Sequence, residues 1–381
     1  DGNALETQSI DGKTLALVSV PSCGMASYQL GMEDSKIQET VHNELYLEND
    51  LIRTEFNDQG ELVCVTDKET GLEFLAGVSN QFHVYQDAPT MFDAWDIDSF
   101  YEKLEVTDIT MGEVKVEQRG NLISSIVVSK KINNSEIKQR ISLRKGSKRI
   151  DFETEVDWNE THKLLKVDFH TNIHTDELIS EIQFGYIKRP NHRSRQHDAD
   201  RFEVCQHKWS ALAEANRGFA ILNDCKYGIG AFEGKMSLTL LKSAAAPALH
   251  ADKGVHRFTY SVMPYNGTFF HSNVVREAYE LNYPVCVMTG EGTNTSFLQV
   301  SEKNVIVETV KFAEDGSGDL IIRLYEAQNA YTNCTLKFGF DVKEVYVTDM
   351  LEKNEEKVDT QKRKVEFAVR PFEIKTMRVV L

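Results

Sequence analysis

From Ile150 to Trp158 the chain reads IDFETEVDW, nine residues that alternate without a break. Ile150, Phe152, Thr154, Val156 and Trp158 share one side of an extended strand, and Asp151, Glu153, Glu155 and Asp157 share the other. The stretch before it, IKQRISL, alternates as cleanly, with Ile137, Gln139, Ile141 and Leu143 on one side and Lys138, Arg140, Ser142 and Arg144 on the other. Lys145-Gly146-Ser147 between the two supplies a turn, so the pair predicts a hairpin. Its outer face sets a basic row against an acidic row. A slip of one residue would bury both rows, so the register is strongly specified.

The same period of two recurs along the chain. Strands are expected at Ile52–Phe56, Leu62–Thr66, Val114–Gln118, Ser125–Ser129, Lys166–Ile173, Phe219–Asn223, Ser237–Leu241 and His256–Met263, and one short helix at Val274–Leu281, capped by Ser272 or Asn273. TGEGTNTS at Thr289–Ser296 interrupts the pattern. Beyond it, Asn304–Val310, Asp319–Tyr325, Thr332–Phe338, Val342–Thr348, Val365–Arg370 and Ile374–Val380 suffice for a sandwich of their own. The expected fold is all-β, a large antiparallel assembly over residues 41–288 and a smaller β-sandwich over 297–381. Residues 1–40 hold too few strands to bury a face; they are expected to complete an upstream β domain or to act as a linker. The chain opens without Met, as expected of a processed piece.

Lys and Arg number 43 against 59 Asp and Glu, a formal charge of -16. Phosphate backbones and anionic membranes need a basic face, so neither nucleic acid nor membrane is an expected partner. No run approaches the ~18 apolar residues of a spanning helix. The opening DGNALETQSIDG has neither a basic nor an apolar leader segment. Six cysteines lie far apart, at 23, 64, 205, 225, 286 and 334, with no C-x-x-C pair. They read as isolated thiols, and a cytoplasmic location is expected.

Two segments hold the residue types that chemistry needs. YQDAPTMFDAWDIDSFYEK, residues 85–103, mixes the acids Asp87, Asp93, Asp96, Asp98 and Glu102 with the aromatics Tyr85, Phe92, Trp95, Phe100 and Tyr101. Carboxylates accept hydrogen bonds from sugar hydroxyls, and aromatic faces cover the apolar side of a sugar ring. The plainer alternative is a loop anchored by its aromatics with its acids in water. YIKRPNHRSRQHDADR, residues 186–201, is opposite in sign, with Lys188, Arg189, Arg193, Arg195, Arg201, His192 and His197. It reads either as an electrophilic rim for hydroxyls or phosphate, or as a charged segment docked on acidic neighbours. In KVDFHTNIH a strand would align Asp168, His170, Asn172 and His174 on one face, but i,i+4 in a strand spans roughly 13 Å, too far for one metal ion. No H-E-x-x-H, Walker loop, G-x-S-x-G or G-x-G-x-x-G occurs.

FDAWDID, EIQFGYIKRPNH, RFEVCQHKW, GFAILNDCKYG, HRFTYSVMPYNG and the closing PFEIKTMRV follow one another in an order that resembles the α-mannosidases of glycoside hydrolase family 38, cytosolic and bacterial branch. The resemblance runs from about Leu47 to Leu381 and implies the C-terminal β region of such an enzyme. It implies an antiparallel supersandwich, similar to the galactose-mutarotase fold, followed by a small β-sandwich. The family's reaction is retaining hydrolysis of α-linked mannose, with an aspartate nucleophile and a zinc ion in an N-terminal barrel. No motif for either is found here, so the resemblance implies no catalytic or metal-binding residue in this chain. Asp93, Trp95 and Asp96 match the family in a segment that looks like one facing the sugar site, with Asp98 a further candidate contact beside them, and Arg189 and His192 match in the second segment. That second segment then departs: His197 replaces an aromatic before Asp198, Gln196 a small hydroxyl, and Ala211 and Ala213 stand where Asp and Ser are common.

The expected role is therefore to shape the substrate pocket of an absent zinc-dependent barrel, with that barrel and a mannose-containing oligosaccharide as partners and no metal bound by this chain. A face left open by the barrel would promote self-association, so a homo-oligomer is another expected partner state. The alternative from another class is a stand-alone carbohydrate-binding module using Trp95, Asp96 and Asp98. An aldose epimerase or lyase ranks last, because no residue pair in the sequence singles it out.

Overall fold

The alternating hairpin lies inside a nine-stranded antiparallel sheet of the computed structural model, which describes residues 4–10, 12–29, 31, 44–106 and 109–381. Ser135–Arg144 pairs with Ile150–Trp158 in the expected register, Lys138 opposite Glu155, Arg140 opposite Glu153 and Ser142 opposite Asp151. The spatial order is Gly185–Pro190, Glu177–Ile182, Trp209–Ala213, Arg217–Asn223, Gly254–Asn266, Ile150–Trp158, Ser135–Arg144, Ile123–Ile132 and Ile109–Gln118. A six-stranded sheet follows the order Val204–Cys205, Gly228–Phe232, Lys235–Lys242, Lys163–His170, Gln81–Gln86 and Glu105–Val106.

The inner faces of these two sheets form one apolar cluster. Ile141, Phe152, Phe219 and Tyr260 of the larger sheet meet Phe82, Val167, Phe169 and Leu238 of the smaller. The Phe152 ring stacks on Tyr260 at 5.1 Å and meets Phe169 edge-on at 5.9 Å. Each such buried ring contributes about 1.5–3 kcal/mol. Gln139 is buried on the same face because its Nε2 donates to Thr154 Oγ1 and Tyr260 Oη at 2.9 and 2.7 Å. A smaller sheet, Tyr46–Glu48, Ile52–Phe56 and Leu62–Asp67, adds Leu47, Ile52 and Val65 to the core. The helix Val274–Asn282 follows, entered through Ser272, whose Oγ accepts from the Val274 amide at 3.4 Å, while Asn273 makes no side-chain cap.

The chain divides into two compact units. The first comprises Asp1–Ala16, Ser35–Glu181 and Ile187–Pro284; the second comprises Leu17–Asp34, Ile182–Tyr186 and Val285–Leu381. The second unit holds a four-stranded sheet, Leu298–Val300, Thr332–Phe338, Lys364–Val369 and Thr360–Gln361. Its companion is five-stranded, Val305–Phe312, Leu320–Glu326, Ile374–Val380, Glu344–Thr348 and Asn354–Val358. Ile322, Leu336, Phe338, Met377 and Val379 fill the space between them. Gly24–Met25 pairs with Thr295–Ser296 in this unit, and a Cβ on Gly24 would stand 2.2 Å from the Thr295 carbonyl oxygen, which demands glycine there. The molecule is thus all-β, with a large antiparallel supersandwich followed by a small β-sandwich.

Two local expectations need correction. Lys163–His170 begins and ends three residues before the expected strand, so Asn172 and His174 leave the face that carries Asp168 and His170. At its end the Thr171 Oγ1 and the Asn172 amide bond instead to Gly234 and Phe74 carbonyls. Residues 186–190 are not loop but all except the first residue of the edge strand Gly185–Pro190.

Candidate functional site

The first segment leaves the six-stranded sheet at Gln86 and is pinned at three points. Asp87 is buried against Lys242, and its amide donates to the His162 carbonyl at 2.8 Å. Asp93 Oδ2 accepts from His162 Nε2 at 3.0 Å and from the Ala245 and Ala246 amides at 2.8 and 3.0 Å. Burial pushes the Asp93 carboxyl up, but these donors together outweigh it and hold it below the usual carboxylate range. Asp98 Oδ2 accepts from the amide and hydroxyl of Thr90 at 2.7 and 2.8 Å and closes the loop on itself.

The residues between these pins turn outward. Phe92 adopts φ 58°, and its carbonyl accepts from the Trp95 and Asp96 amides at 2.8 and 3.0 Å. Trp95 is 76% exposed, and Met91, Phe92 and Phe100 are exposed beside it in sequence. The Asp96 carboxylate is exposed and, among the described residues, accepts only from the amide of Ile97, at 3.0 Å. Of the four candidate contacts of this segment, Asp93 and Asp98 serve the loop's own geometry, while Trp95 and Asp96 face solvent.

The second segment is fastened to the first. Arg193 Nη1 and Nη2 donate to Glu102 Oε2 and Oε1 at 2.8 and 2.6 Å, with the guanidinium 4.7 Å above the Phe232 ring. The Arg193 hydrogen bonds hold the Glu102 carboxyl below its usual range against the opposing effect of burial. Lys188 pairs with Glu177 at 2.7 Å. Asp198, its side chain fully buried, accepts from the Arg195 amide, Nε and Nη2 at 3.2, 2.8 and 3.1 Å. His192 is half-buried, its Nδ1 accepting from the Ser194 amide at 3.4 Å. Arg189 is also half-buried and lies on the edge strand, apart from these pairs.

Beneath both segments is a layer that sequence reasoning missed. Lys166, 1% exposed, donates to Glu203 Oε2 at 2.5 Å and Thr239 Oγ1 at 2.8 Å, and its ammonium stands 5.5 Å from the Tyr101 ring. Tyr101 in turn meets Tyr85 edge-on at 5.0 Å. Along the same strand, Asp168 receives Lys235 Nζ at 2.9 Å, and His83 Nδ1 lies 2.6 Å from Glu105. The alternation that places Lys166 and Asp168 on one face was visible; their partners, 37 and 67 residues away, were not.

No group of three or more His, Cys, Asp or Glu among the described residues is placed to hold a metal ion. The described residues therefore do not fit a zinc centre. Nor is any helix among the described residues long and apolar enough to cross a membrane.

Comparison with known proteins identifies the family. Residues 47–250 match the glycosyl hydrolases family 38 C-terminal domain, and residues 304–377 match the family 38 C-terminal beta sandwich domain. The chain belongs to glycoside hydrolase family 38 and corresponds to the C-terminal region of its α-mannosidases. It is 34% identical to alpha-mannosidase 2C1 of Homo sapiens over 97% of its own length, and 31% identical to an alpha-mannosidase of Saccharomyces cerevisiae over 84%. It spans only 37% and 33% of those two relatives. Two crystal structures from Enterococcus faecalis share the fold. One is a protein in glycosyl hydrolase family 38, with TM-score 0.75 and 16% identity over 98% of this chain and 50% of that one. The other is an alpha-mannosidase, with TM-score 0.73 and 17% identity over 90% and 43%.

Proposed function

We propose that this chain is the C-terminal β region of a retaining α-mannosidase acting on mannose-containing oligosaccharides, and that its pinned loop forms one wall of the sugar pocket. The nucleophile and the zinc ion belong, on this reading, to a barrel that makes up the remaining length of such an enzyme. The observation that carries the proposal is the exposure of Trp95 beside Asp96 on a loop whose other acids hold it in place. An indole presented this way covers the apolar face of a sugar, and the Asp96 carboxylate accepts from a hydroxyl. Asp93 and Asp98 position the loop, and Arg189 and His192 stand on the second segment as further contacts. The isolated chain is inactive on this account.

The test is kinetic. In a polypeptide that carries the barrel, Trp95→Ala should lower kcat/KM for an aryl α-mannoside at least about tenfold, roughly 1.4 kcal/mol of lost stabilisation. Unchanged kcat/KM would remove Trp95 from the pocket.

The exposed aromatics Phe92, Trp95 and Phe100 favour one second reading, a carbohydrate-binding module that works alone. Micromolar binding of mannose oligosaccharides by this chain, abolished by Trp95→Ala, would select it over the pocket wall. We take residues 41–288 and 297–381 as the two folding domains and 1–40 as a linking segment or part of an upstream β domain. We assign the chain to the cytoplasm. All six thiols are free, which a reducing compartment keeps so.

A further inference from the structure

We propose that the second compact unit carries a saccharide-binding cleft of its own, which takes a short neutral sugar against the rings of Phe297 and Phe340. Three stretches of that unit meet there, residues 23–25, 295–297 and 339–340. The Phe297 amide donates to the Cys23 carbonyl at 3.0 Å, and the Gly339 amide donates to the Phe297 carbonyl at 2.9 Å. A Cβ on Gly339 would stand 2.1 Å from the Ser296 carbonyl oxygen, so only glycine lets the third stretch come this close.

Between them the three stretches leave a cavity of about 290 Å³. The Phe297 and Phe340 rings line it 4.9 Å apart at 40°, and the buried Phe338 backs Phe340 at 5.7 Å. A second cavity of about 320 Å³ shares Thr295 and Ser296 with the first and is lined further by Ser19, Asn294 and Gln299. Here the chemistry changes from rings to amides and hydroxyls. Asn294 Oδ1 accepts from the Ser27 amide at 2.9 Å, which fixes that side chain. Asn294 Nδ2, the Thr295 hydroxyl and the Gln299 carboxamide make no hydrogen bond within the described residues.

The lining decides the ligand class. No residue lining either cavity is charged, in a chain whose residues are 27% charged. A phosphate, carboxylate or ammonium would give up water there without gaining a counterion. A wholly apolar ligand would strip water from the amides and hydroxyls and leave them unpaired. Rings beside free amides and hydroxyls fit a molecule with an apolar C–H face and a rim of hydroxyls, which is a neutral sugar. Each cavity lies near the ~300 Å³ lower end of small-ligand sites, so the pair accommodates a short saccharide and not a long chain. The choice of mannose as that sugar rests on the proposed function; the cleft itself does not.

Cys23 supplies the reporter, because its thiol is free and exposed and lines the first cavity. The probe is an α-linked mannobiose titrated into this chain, with iodoacetamide modification of each cysteine read by mass spectrometry. Saturating sugar should slow modification of Cys23 at least about threefold and leave the exposed Cys205 and Cys286 unchanged. Phe297→Ala should weaken the sugar at least about tenfold, and Thr295→Val should weaken it less. Thr295 is exposed, so its variant remains informative if Phe297→Ala fails to fold. No protection of Cys23 at tens of millimolar mannobiose, or protection that both variants leave intact, overturns the cleft. So does protection of Cys23 without sugar in a polypeptide that also carries the barrel, which would mean that protein fills the space. Protection should survive Trp95→Ala, and its loss in that variant would overturn the cleft while leaving the proposed pocket wall standing.

Discussion

The guanidinium of Arg193 meets the carboxylate of Glu102 through two hydrogen bonds of 2.8 and 2.6 Å, joining segments 91 residues apart that carry opposite charge. Each segment alone looks like a solvated loop. Together they form a cover over the outer face of the six-stranded sheet, with Phe232 under the guanidinium and Lys166 under Tyr101. The exposed stretch from Met91 to Asp96 is therefore held on a fixed frame.

Because both partners are about one-third exposed, this clamp is worth only ~0.5–1 kcal/mol. Arg193→Ala should lose that amount, and a double-mutant cycle with Glu102→Gln should recover most of it as coupling energy. Glu102 is lowered in the folded state, so its contribution is fully present above the unfolded carboxyl pKa. It disappears as pH falls through the folded one. The coupling energy, measured by urea unfolding, should accordingly vanish in acid; a coupling that grows there would contradict the assignment.

Lys166 and Glu203 behave differently because Lys166 is fully buried. Glu203→Ala strands an ammonium in the interior and should cost about 3–5 kcal/mol in denaturant unfolding. Lys166→Met should cost less, since the thioether fits the same space between Tyr101 and Thr239 and leaves Glu203 with a hydrogen bond from the Thr239 hydroxyl. Equal losses from the two variants would mean that the pair is not desolvated.

Asp93→Asn keeps the shape and removes the charge that accepts from Ala245, Ala246 and His162. We expect a loss of about 1–2 kcal/mol and faster hydrogen exchange at those two amides. In the wild-type chain the Asp93 carboxyl is lowered, so its stabilisation is present above the unfolded pKa and fails as pH falls through the folded value. Amide protection at Ala245 and Ala246, corrected for intrinsic exchange, should drop over the same range. Protection that persists through it would exclude Asp93 as the anchor.

Cys64 offers a chemical check. Burial, assisted by the Glu73 carboxylate 2.7 Å from its Sγ, pushes the thiol up to about 11. Only the thiolate alkylates readily, so Cys64 should stay largely unmodified by iodoacetamide at neutral pH, and Glu73→Gln should speed its modification. Mass spectrometry of the six cysteine peptides would read this directly; rapid wild-type modification would refute it.

Strands with one wet face were legible in the sequence. Ile52–Phe56, Thr332–Phe338 and Ile374–Val380 have the expected bounds, and the Lys138–Glu155 and Arg140–Glu153 register was predictable from charge. Strands covered on both faces were legible only in part, since Phe219–Asn223 and Ser237–Leu241 were expected and lie within Arg217–Asn223 and Lys235–Lys242. WSALA at Trp209–Ala213 and LLKVDF within Lys163–His170 are buried almost throughout, so the alternation disappears or shifts. For the site, composition singled out both segments but could not divide their acids. Asp93 and Asp96 are three residues apart and chemically alike, yet one faces the Ala245 and Ala246 amides and the other faces water. That distinction depends on a loop some 150 residues away, which no local pattern encodes.

The most direct test of the central claim is hydrolysis of an aryl α-mannoside with zinc supplied, by this chain alone and by a polypeptide extended to the length of its relatives. We predict no turnover by the chain alone and turnover by the extended polypeptide that Trp95→Ala diminishes. Turnover by the chain alone would contradict the account and make Asp96, the outward carboxylate beside Trp95, the first residue to replace.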